Sequence, residues 1–251
     1  MLRTEISAGV VRYRFPPREG KHFGFNLYAL LDEAARQALL IDTGYEEHAA
    51  AVLRDLQERG YTLERVVLSH FHPDHILGLR ALPQVPIVGS PRYEETLCEY
   101  GPREEWEEFV PTLTPGEAAP VLFGPFHLRF QLAPGHSPCS QYTLIDSEFI
   151  HVADNVMTSN DGLDILPWAA FGYVSDHIAS LEHLRSSIDR TFLLGHGVEM
   201  RDRAIKESAI ENRIRYFRNV LATDGRASYA QATAGCGCEF LHQEWLIRKD
   251  D

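Results

Sequence analysis

Apolar and polar positions change places in short runs through the first part of the chain. Gly9 to Phe15, Phe25 to Leu31 and Ala38 to Ile41 predict strands separated by charged turns, and Asp42-Thr43-Gly44 closes the third. The period then lengthens. Glu46 to Glu58 carries Ala and Leu at helical spacing and stops at Gly60, a residue suited to ending a helix. Arg65 to Ser69 returns to a strand, Asp74 to Leu82 predicts a short helix with Asp74 at its N-terminal end, and Val85 to Gly89 predicts another strand. Strand and helix in alternation imply parallel pairing.

Between Pro91 and Pro120 lies a charged, proline-punctuated insertion with helical stretches, whose Trp106 and Phe109 either cap a site or pack. The second half repeats the style of the first. Strands are expected at His127 to Leu132, Gln141 to Ile145, Phe149 to Ala153 and Thr191 to Leu194, with helices at Ser175 to Ile188 and Arg203 to Ala222. The tail from Gly225 to Asp251 has mixed character. With no short-period repeat and no Gly-, Ser- or Pro-rich linker, the expectation is one domain over 1–251. It would carry an inserted helical segment near 91–120 and a C-terminal helical extension near 203–251. Sheets inside and helices outside make an α/β sandwich.

Composition narrows the function classes. At 44% hydrophobic and 24% charged, the 251 residues are those of an ordinary globular protein. The net charge of −12 repels phosphate backbones, so nucleic acid is a poor candidate partner. Much of the acidic excess lies between Arg92 and Glu117, where eight glutamates face two arginines; a solvated helical face accounts for it. Four cysteines make no disulfide framework, and Cys236-Gly237-Cys238 is read as two incidental thiols in a Gly-rich turn. The N-terminus has neither a signal peptide nor a membrane span, so a cytoplasmic location and no membrane partner are expected.

The chemistry concentrates in Ser69-His70-Phe71-His72-Pro73-Asp74-His75, directly after the apolar run Val66-Val67-Leu68. Four metal-ligating groups fall within six positions, and the i, i+2 spacing of His70 and His72 on extended chain turns both imidazoles to one side. Three further candidates also end apolar runs: His136 in Pro134-Gly135-His136-Ser137, Asp154 after Val152-Ala153, and His196 between Gly195 and Gly197. Loops at strand ends gather along one edge of a sheet, where sites are commonly built. Five histidines and two aspartates are too many donors for one tetrahedral ion, so two ions fit better.

In that order the motifs resemble the metallo-β-lactamase superfamily, over a span from about Phe25 to Gly197. The resemblance implies an αββα four-layer sandwich with the site in a groove between sheet edges. Carried over by position, it implies one ion on His70, His72 and His136 and a second on Asp74, His75 and His196, with Asp154 bridging. Zinc is the first choice of metal, with iron or manganese as alternatives. Asp42 would support a ligand imidazole or be an ordinary turn aspartate. Ala153 stands where many relatives have Gly, a change expected to be tolerable at a strand end; Cys139 stands where Gly is common and is read as packing.

The implied activity is hydrolysis of a small ester, thioester or lactone by a hydroxide bridging the two metals, with Asp74 as the catalytic group that orients it and passes a proton to the leaving group. Asp74 and His75 together point to the hydroxyacylglutathione hydrolase and lactonase branch rather than the β-lactamases proper, which commonly have a cysteine in the second site. The alternative is a mononuclear iron persulfide dioxygenase. The stretch Met157 to Tyr173, with Leu163, Ile165, Leu166, Trp168, Phe171 and Tyr173, either walls a substrate pocket or packs in the core. Arg213, Arg215 and Arg218 are available to a glutathione moiety or are solvated. His22 is placed near the groove mouth, and His48, His127, His151, His177, His183 and His242 are expected to be structural or on the surface. A homodimer is compatible with the sequence.

Overall fold

The computed structural model describes residues 1–116 and 120–249. Glu117, the last of the eight clustered glutamates, and the end of the tail at 250–251 lie outside them. Two sheets form the centre. The first comprises β1 (Leu2–Ser7), β2 (Val10–Arg14), β3 (Asn26–Asp32), β4 (Gln37–Ile41), β5 (Thr62–Val67) and β6 (Ile87–Val88), side by side in sequence order. Its first four strands pair antiparallel; β4–β5 and β5–β6 pair parallel, with α1 (Glu46–Glu58) as the crossover between β4 and β5. The second sheet has the order β11 (Thr191–Leu193), β10 (Phe149–His151), β9 (Gln141–Ile145), β8 (Phe126–Leu132), β7 (Val121–Phe123), parallel only between β10 and β11.

Side-chain alternation explains the layering. Along β3 and β4, Leu27, Ala29, Leu31, Ala38 and Leu40 face α1, where they meet Val52 and Leu56. Tyr28, Leu30, Leu39 and Ile41 face the other way, onto Leu128, Phe130, Ile145 and Leu193 of the second sheet. That sheet's outer face, including Tyr142, Ile150 and Phe192, packs against α4 (Val174–Leu184) and α5 (Arg203–Ala222). The result is the four-layer αββα arrangement expected from the sequence.

Several expectations are corrected locally. The helix expected over 74–82 is one turn, α2 (Pro73–Ile76), followed by a 3-10 segment at Leu77–Ala81, and His72 rather than Asp74 takes its N-cap position. The helix expected over 175–188 ends at Leu184 and continues as a 3-10 turn. Among the described residues the insertion carries only α3 (Glu94–Leu97) and short 3-10 turns, and its Trp106 and Phe109 pack into the core beside α1's sheet face rather than capping a site. The edge strands β1 and β7 have weak apolar alternation and were not anticipated. Among the described residues the tail contains one short α-helix, α6 (Tyr229–Ala232), and a 3-10 turn at Gln243–Trp245.

Candidate metal centre

The parallel strands β4, β5, β10 and β11 deliver their C-terminal ends to one side of the sandwich. Asp42 follows β4, the His70 to His75 run follows β5, Asp154 follows β10 and His196 follows β11. His136 joins them from the β8–β9 connection. Cross-sheet hydrogen bonds hold these loops together: Gln141 Nε2 donates to the Leu68 carbonyl (2.9 Å), and Asn26 Nδ2 donates to the carbonyls of Leu194 and Gly197 (2.9 Å each).

Asp154 is the hub. Its Oδ2 lies 3.1 Å from His196 Nε2, 3.3 Å from His75 Nε2, 3.6 Å from His136 Nε2 and 4.0 Å from His70 Nε2. Asp74 Oδ2 lies 3.5 Å from His196 Nε2 and 4.0 Å from His75 Nε2, and His72 Nδ1 faces His136 Nε2 at 3.0 Å. Three overlapping donor sets result: His70, His72 and His136; Asp74, His75 and His196; and His70, His75 and Asp154.

The opposite ring nitrogens are engaged elsewhere, which orients the lone pairs inward. His75 Nδ1 donates to Asp42 Oδ2 (2.8 Å), His196 Nδ1 to the Gly24 carbonyl (2.8 Å) and His136 Nδ1 to the Trp168 carbonyl (3.3 Å), while His70 Nδ1 meets Ser69 Oγ (3.0 Å). Asp42 also accepts from Ser69 N and Ser69 Oγ, both at 2.7 Å, so it supports His75 and is not merely a turn residue. The buried Nε2 of His70 and Oδ1 of Asp154 have no hydrogen-bond partner, and the Nε2 atoms of His75 and His196 face only the Asp154 and Asp74 carboxylates. A side chain on Gly195 would enter this space, its Cβ 2.7 Å from Asp154 Oδ1. Buried lone pairs converging on a space kept open by a glycine fit divalent cations.

A family model described as the metallo-beta-lactamase superfamily matches residues 24–217, most of the chain. The chain belongs to the metallo-β-lactamase superfamily.

Among relatives in this superfamily, a hydroxyacylglutathione hydrolase of Bartonella henselae is 28% identical over 170 residues, covering 66% of this chain and 60% of that protein. One of Albidiferax ferrireducens is 35% identical over 107 residues, covering 41% and 36%. The matches thus span less than two thirds of these relatives' lengths. In structure, a metallo-beta-lactamase from Pontibacter korlensis superposes with TM-score 0.66 at 18% identity, covering 84% of this chain and 99% of that one. ETHE1 from Myxococcus xanthus superposes with TM-score 0.59 at 19% identity, covering 90% and 95%. These likenesses show the superfamily's fold.

Electrostatics divide the superfamily histidines into two groups. Burial, reinforced by neighbouring imidazoles, holds His70 well below the ordinary histidine range and takes His72 down to about 3. Burial also disfavours charge on His75 and His196. Here Asp154 outweighs it, with Asp42 and Asp74 adding for His75 and Asp74 for His196; His75 is held well above its usual value and His196 at about 10. Burial opposes ionisation of Asp154 and Asp74, but the facing imidazoles prevail and keep both carboxyls below the usual range. A raised histidine pKa stabilises the metal-free protein below the unfolded value near 6.5, and that contribution is lost as pH rises toward about 10 for His196. Metal needs the neutral imidazole, so uptake at pH 7 to 8 must displace protons. Calorimetry in buffers of different ionisation enthalpy is expected to show proton release, and affinity should fall about tenfold per pH unit for each proton displaced. Affinity that does not change between pH 8 and 6 would contradict this arrangement.

Ala153 adopts φ +49, a left-handed conformation that explains why glycine suits this position. The strain of an L-residue there, roughly 1–2 kcal/mol, exceeds glycine's entropic penalty of roughly 0.5–1 kcal/mol. Ala153→Gly is therefore expected to stabilise the protein by about 0.5 kcal/mol, a rise in melting temperature of about 1–2 °C. The expectation that Ala is tolerable at this strand end thus holds only at the expense of strain.

The donors floor a groove of about 560 Å³ lined by Arg18, Phe23, Phe25, Tyr45, Met157 and Trp168, among others. Of the pocket residues expected from the sequence, Met157 and Trp168 line it. Phe171 and Tyr173 do not, because the chain turns away in the 3-10 turn preceding α4; Phe171 packs on the C-terminal core. Ile165 and Leu166 are core residues and Leu163 is exposed. Arg213 is fully buried, donating to Asp164 Oδ1 and the Met157 carbonyl, while Arg215 and Arg218 pair with Glu211 and Glu182 on the surface. None of the three lines the groove. Cys139 is buried against Thr96 and Ser137. Phe23, Phe25, Tyr45 and Trp245 were missed as groove residues, since single aromatics in loops carry no periodic signal; His22, placed near the mouth from the sequence, does not line the groove, whereas its neighbours Lys21 and Phe23 do.

Proposed function

We propose that this protein is a dinuclear metal-dependent hydrolase of a small ester, thioester or lactone. The single observation that carries the reading is a pair of three-residue donor sets meeting at one buried carboxylate, with His70 Nε2 and Asp154 Oδ1 left unpartnered. His70, His72 and His136 would hold one ion and Asp74, His75 and His196 the other, with Asp154 between them. The predominance of imidazole favours zinc, ahead of iron or manganese. Divalent ions held there supply Lewis acidity, which brings the pKa of a bound water toward neutrality and polarises a carbonyl.

The chain's own groups do the rest. Asp74 is ionised at neutral pH and open to the groove, so its carboxylate is placed to orient an attacking water and to carry a proton to the leaving atom. Asp42 fixes His75 with Nδ1 protonated and Nε2 turned inward. Phe23, Phe25, Tyr45, Met157 and Trp168 surround the reacting centre with apolar surface and restrict water. Cys139 is no rival nucleophile, because burial pushes its thiol up and closes it from the groove. A net charge of −12 accords with a small-molecule rather than a nucleic-acid substrate. No helix among the described residues is long and apolar enough to cross a membrane. A cytoplasmic location belongs to the same proposal and rests on the cysteine usage.

The test is elemental analysis of protein purified without added metal, coupled to turnover of a hydroxyacylglutathione, an aryl ester, a lactone, a phosphoester and a β-lactam. Two metal ions per chain and turnover confined to the thioester, ester and lactone are expected. One iron per chain with oxygen uptake on a persulfide would replace this reading with that of a dioxygenase.

A further inference from the structure

The family match ends at residue 217, yet the groove is closed by a residue far beyond it, Trp245. The tail reaches the site along the segment that follows Asp154. Leu241 N donates to the Asp164 carbonyl (2.9 Å) and the Leu241 carbonyl accepts from Leu166 N (3.0 Å). The same segment is anchored from beneath by buried Arg213 through Asp164 and Met157.

At His242 the tail turns sharply. This residue has φ +60 and ψ +52, a left-handed conformation that a non-glycine residue keeps only where its surroundings enforce it. The surroundings are specific. The His242 ring stacks on Trp245 (4.7 Å, 20°), its Nδ1 lies 2.7 Å from Glu244 Oε1, and its Nε2 lies 3.4 Å from His22 Nδ1. Phe23 stands edge-on to His242 at 5.4 Å, to Trp245 at 5.6 Å and to His196 at 4.9 Å. Phe23 thus links the clasp to His196, and Trp245 lines the same groove as Asp74 and His196. Across the groove, Trp168 stands 5.9 Å from His136 and is 42% exposed, unusual for a residue of its size.

Charge does not compete for control of this mouth. Arg18 lies over the Tyr45 ring at 3.6 Å and pairs with Glu47 at 2.9 Å, while Lys21 lies over Trp245 at 5.1 Å within the field of Glu244. Each cation thus has an acidic neighbour. Aromatic side chains at both ends of the groove, with its two cations each beside an acidic side chain, favour a flat apolar group.

We propose that Trp245, held by the His242 clasp, is a specificity-determining residue that selects acyl compounds bearing an aromatic ring one methylene away from the scissile carbonyl. This rests on the hydrolase reading and names its substrate class. Trp245 acts on recognition of the ring and is not a metal ligand, so its removal changes the preference between substrates.

The experiment uses the full-length, metal-loaded protein with two thioesters of one thiol, the phenylacetyl and acetyl thioesters of N-acetylcysteamine. The wild type is expected to favour the phenylacetyl compound in kcat/KM. In Trp245→Ala the preference ratio should fall about tenfold, chiefly through KM for the phenylacetyl compound, and Trp245→Phe should restore most of it. His242→Ala, which leaves Trp245 present but unclasped, should lower the ratio likewise. An unchanged ratio in Trp245→Ala, or no wild-type preference, overturns the proposal. If neither thioester is turned over, the hydrolase reading is what has failed. Calorimetric binding of phenylacetate to the same protein then tests the wall alone: about tenfold weaker binding in Trp245→Ala supports it, and equal binding overturns it.

Discussion

Asp154→Ala is expected to strip the site of both metal ions and to lower turnover by at least about 10³-fold, equivalent to about 4 kcal/mol of transition-state stabilisation. No other side chain reaches so many donors: one carboxylate oxygen lies within 4.0 Å of four imidazole nitrogens, and the other is buried and unpartnered. Without it, neither donor set has its shared anionic oxygen, and the positive charge of the ions is balanced only by Asp74. The fold itself should survive. Asp154 is the main reason that His75 and His196 hold their protons in the metal-free protein, so removing it lets both become neutral instead of leaving buried charge unpaired. Elemental analysis, kinetics and a thermal melt of the metal-free variant check the three parts. Retention of two ions per chain would show that Asp154 is not the hub.

His70→Ala and His75→Ala are expected to empty different halves of the site. Each should leave about one ion per chain and each should reduce turnover by at least about 10²-fold, since a two-metal site shares its work between both ions. The comparison is demanding because the two rings are neighbours, with centroids 4.0 Å apart. What separates them is the direction in which each is held. His70 faces the set completed by His72 and His136, whereas His75 is fixed by Asp42 toward Asp74 and His196. Cobalt substitution followed by visible absorption distinguishes the sites, because the two sets differ in carboxylate content. Loss of both ions from either variant would mean that the third overlapping set, His70, His75 and Asp154, acts as a unit.

Much of the architecture was legible because it depends on local period. The limits of α1 and α5 follow from their apolar spacing, and β9 from a short run enriched in strand-forming residues. The insertion was less legible, since glutamate-rich segments favour helix whether or not tertiary packing lets the helix continue; among its described residues only Glu94–Leu97 forms a regular α-helical turn. The edge strands β1 and β7 depend on pairing with β2 and β8 rather than on their own alternation.

The candidate site divides along the same line. Its donors were legible because metal chemistry requires particular residue types, and strand ends concentrate them at readable spacings such as His70 to His75. The contact between Asp42 and His75 spans 33 positions, and the one between Gly24 and His196 spans 172. No sequence period encodes such separations. Arg213 shows the same limit in reverse, because helical periodicity marks it as one of several arginines and only packing buries it against Asp164. The sequence by itself determined the layered class and the seven metal-binding candidates, since these rest on local hydrophobic period and intrinsic side-chain chemistry. Only the tertiary structure decided which lone pairs point inward, which aromatics wall the groove and how the tail's Trp245 reaches it, because those depend on long-range packing that brings distant loops to one sheet edge.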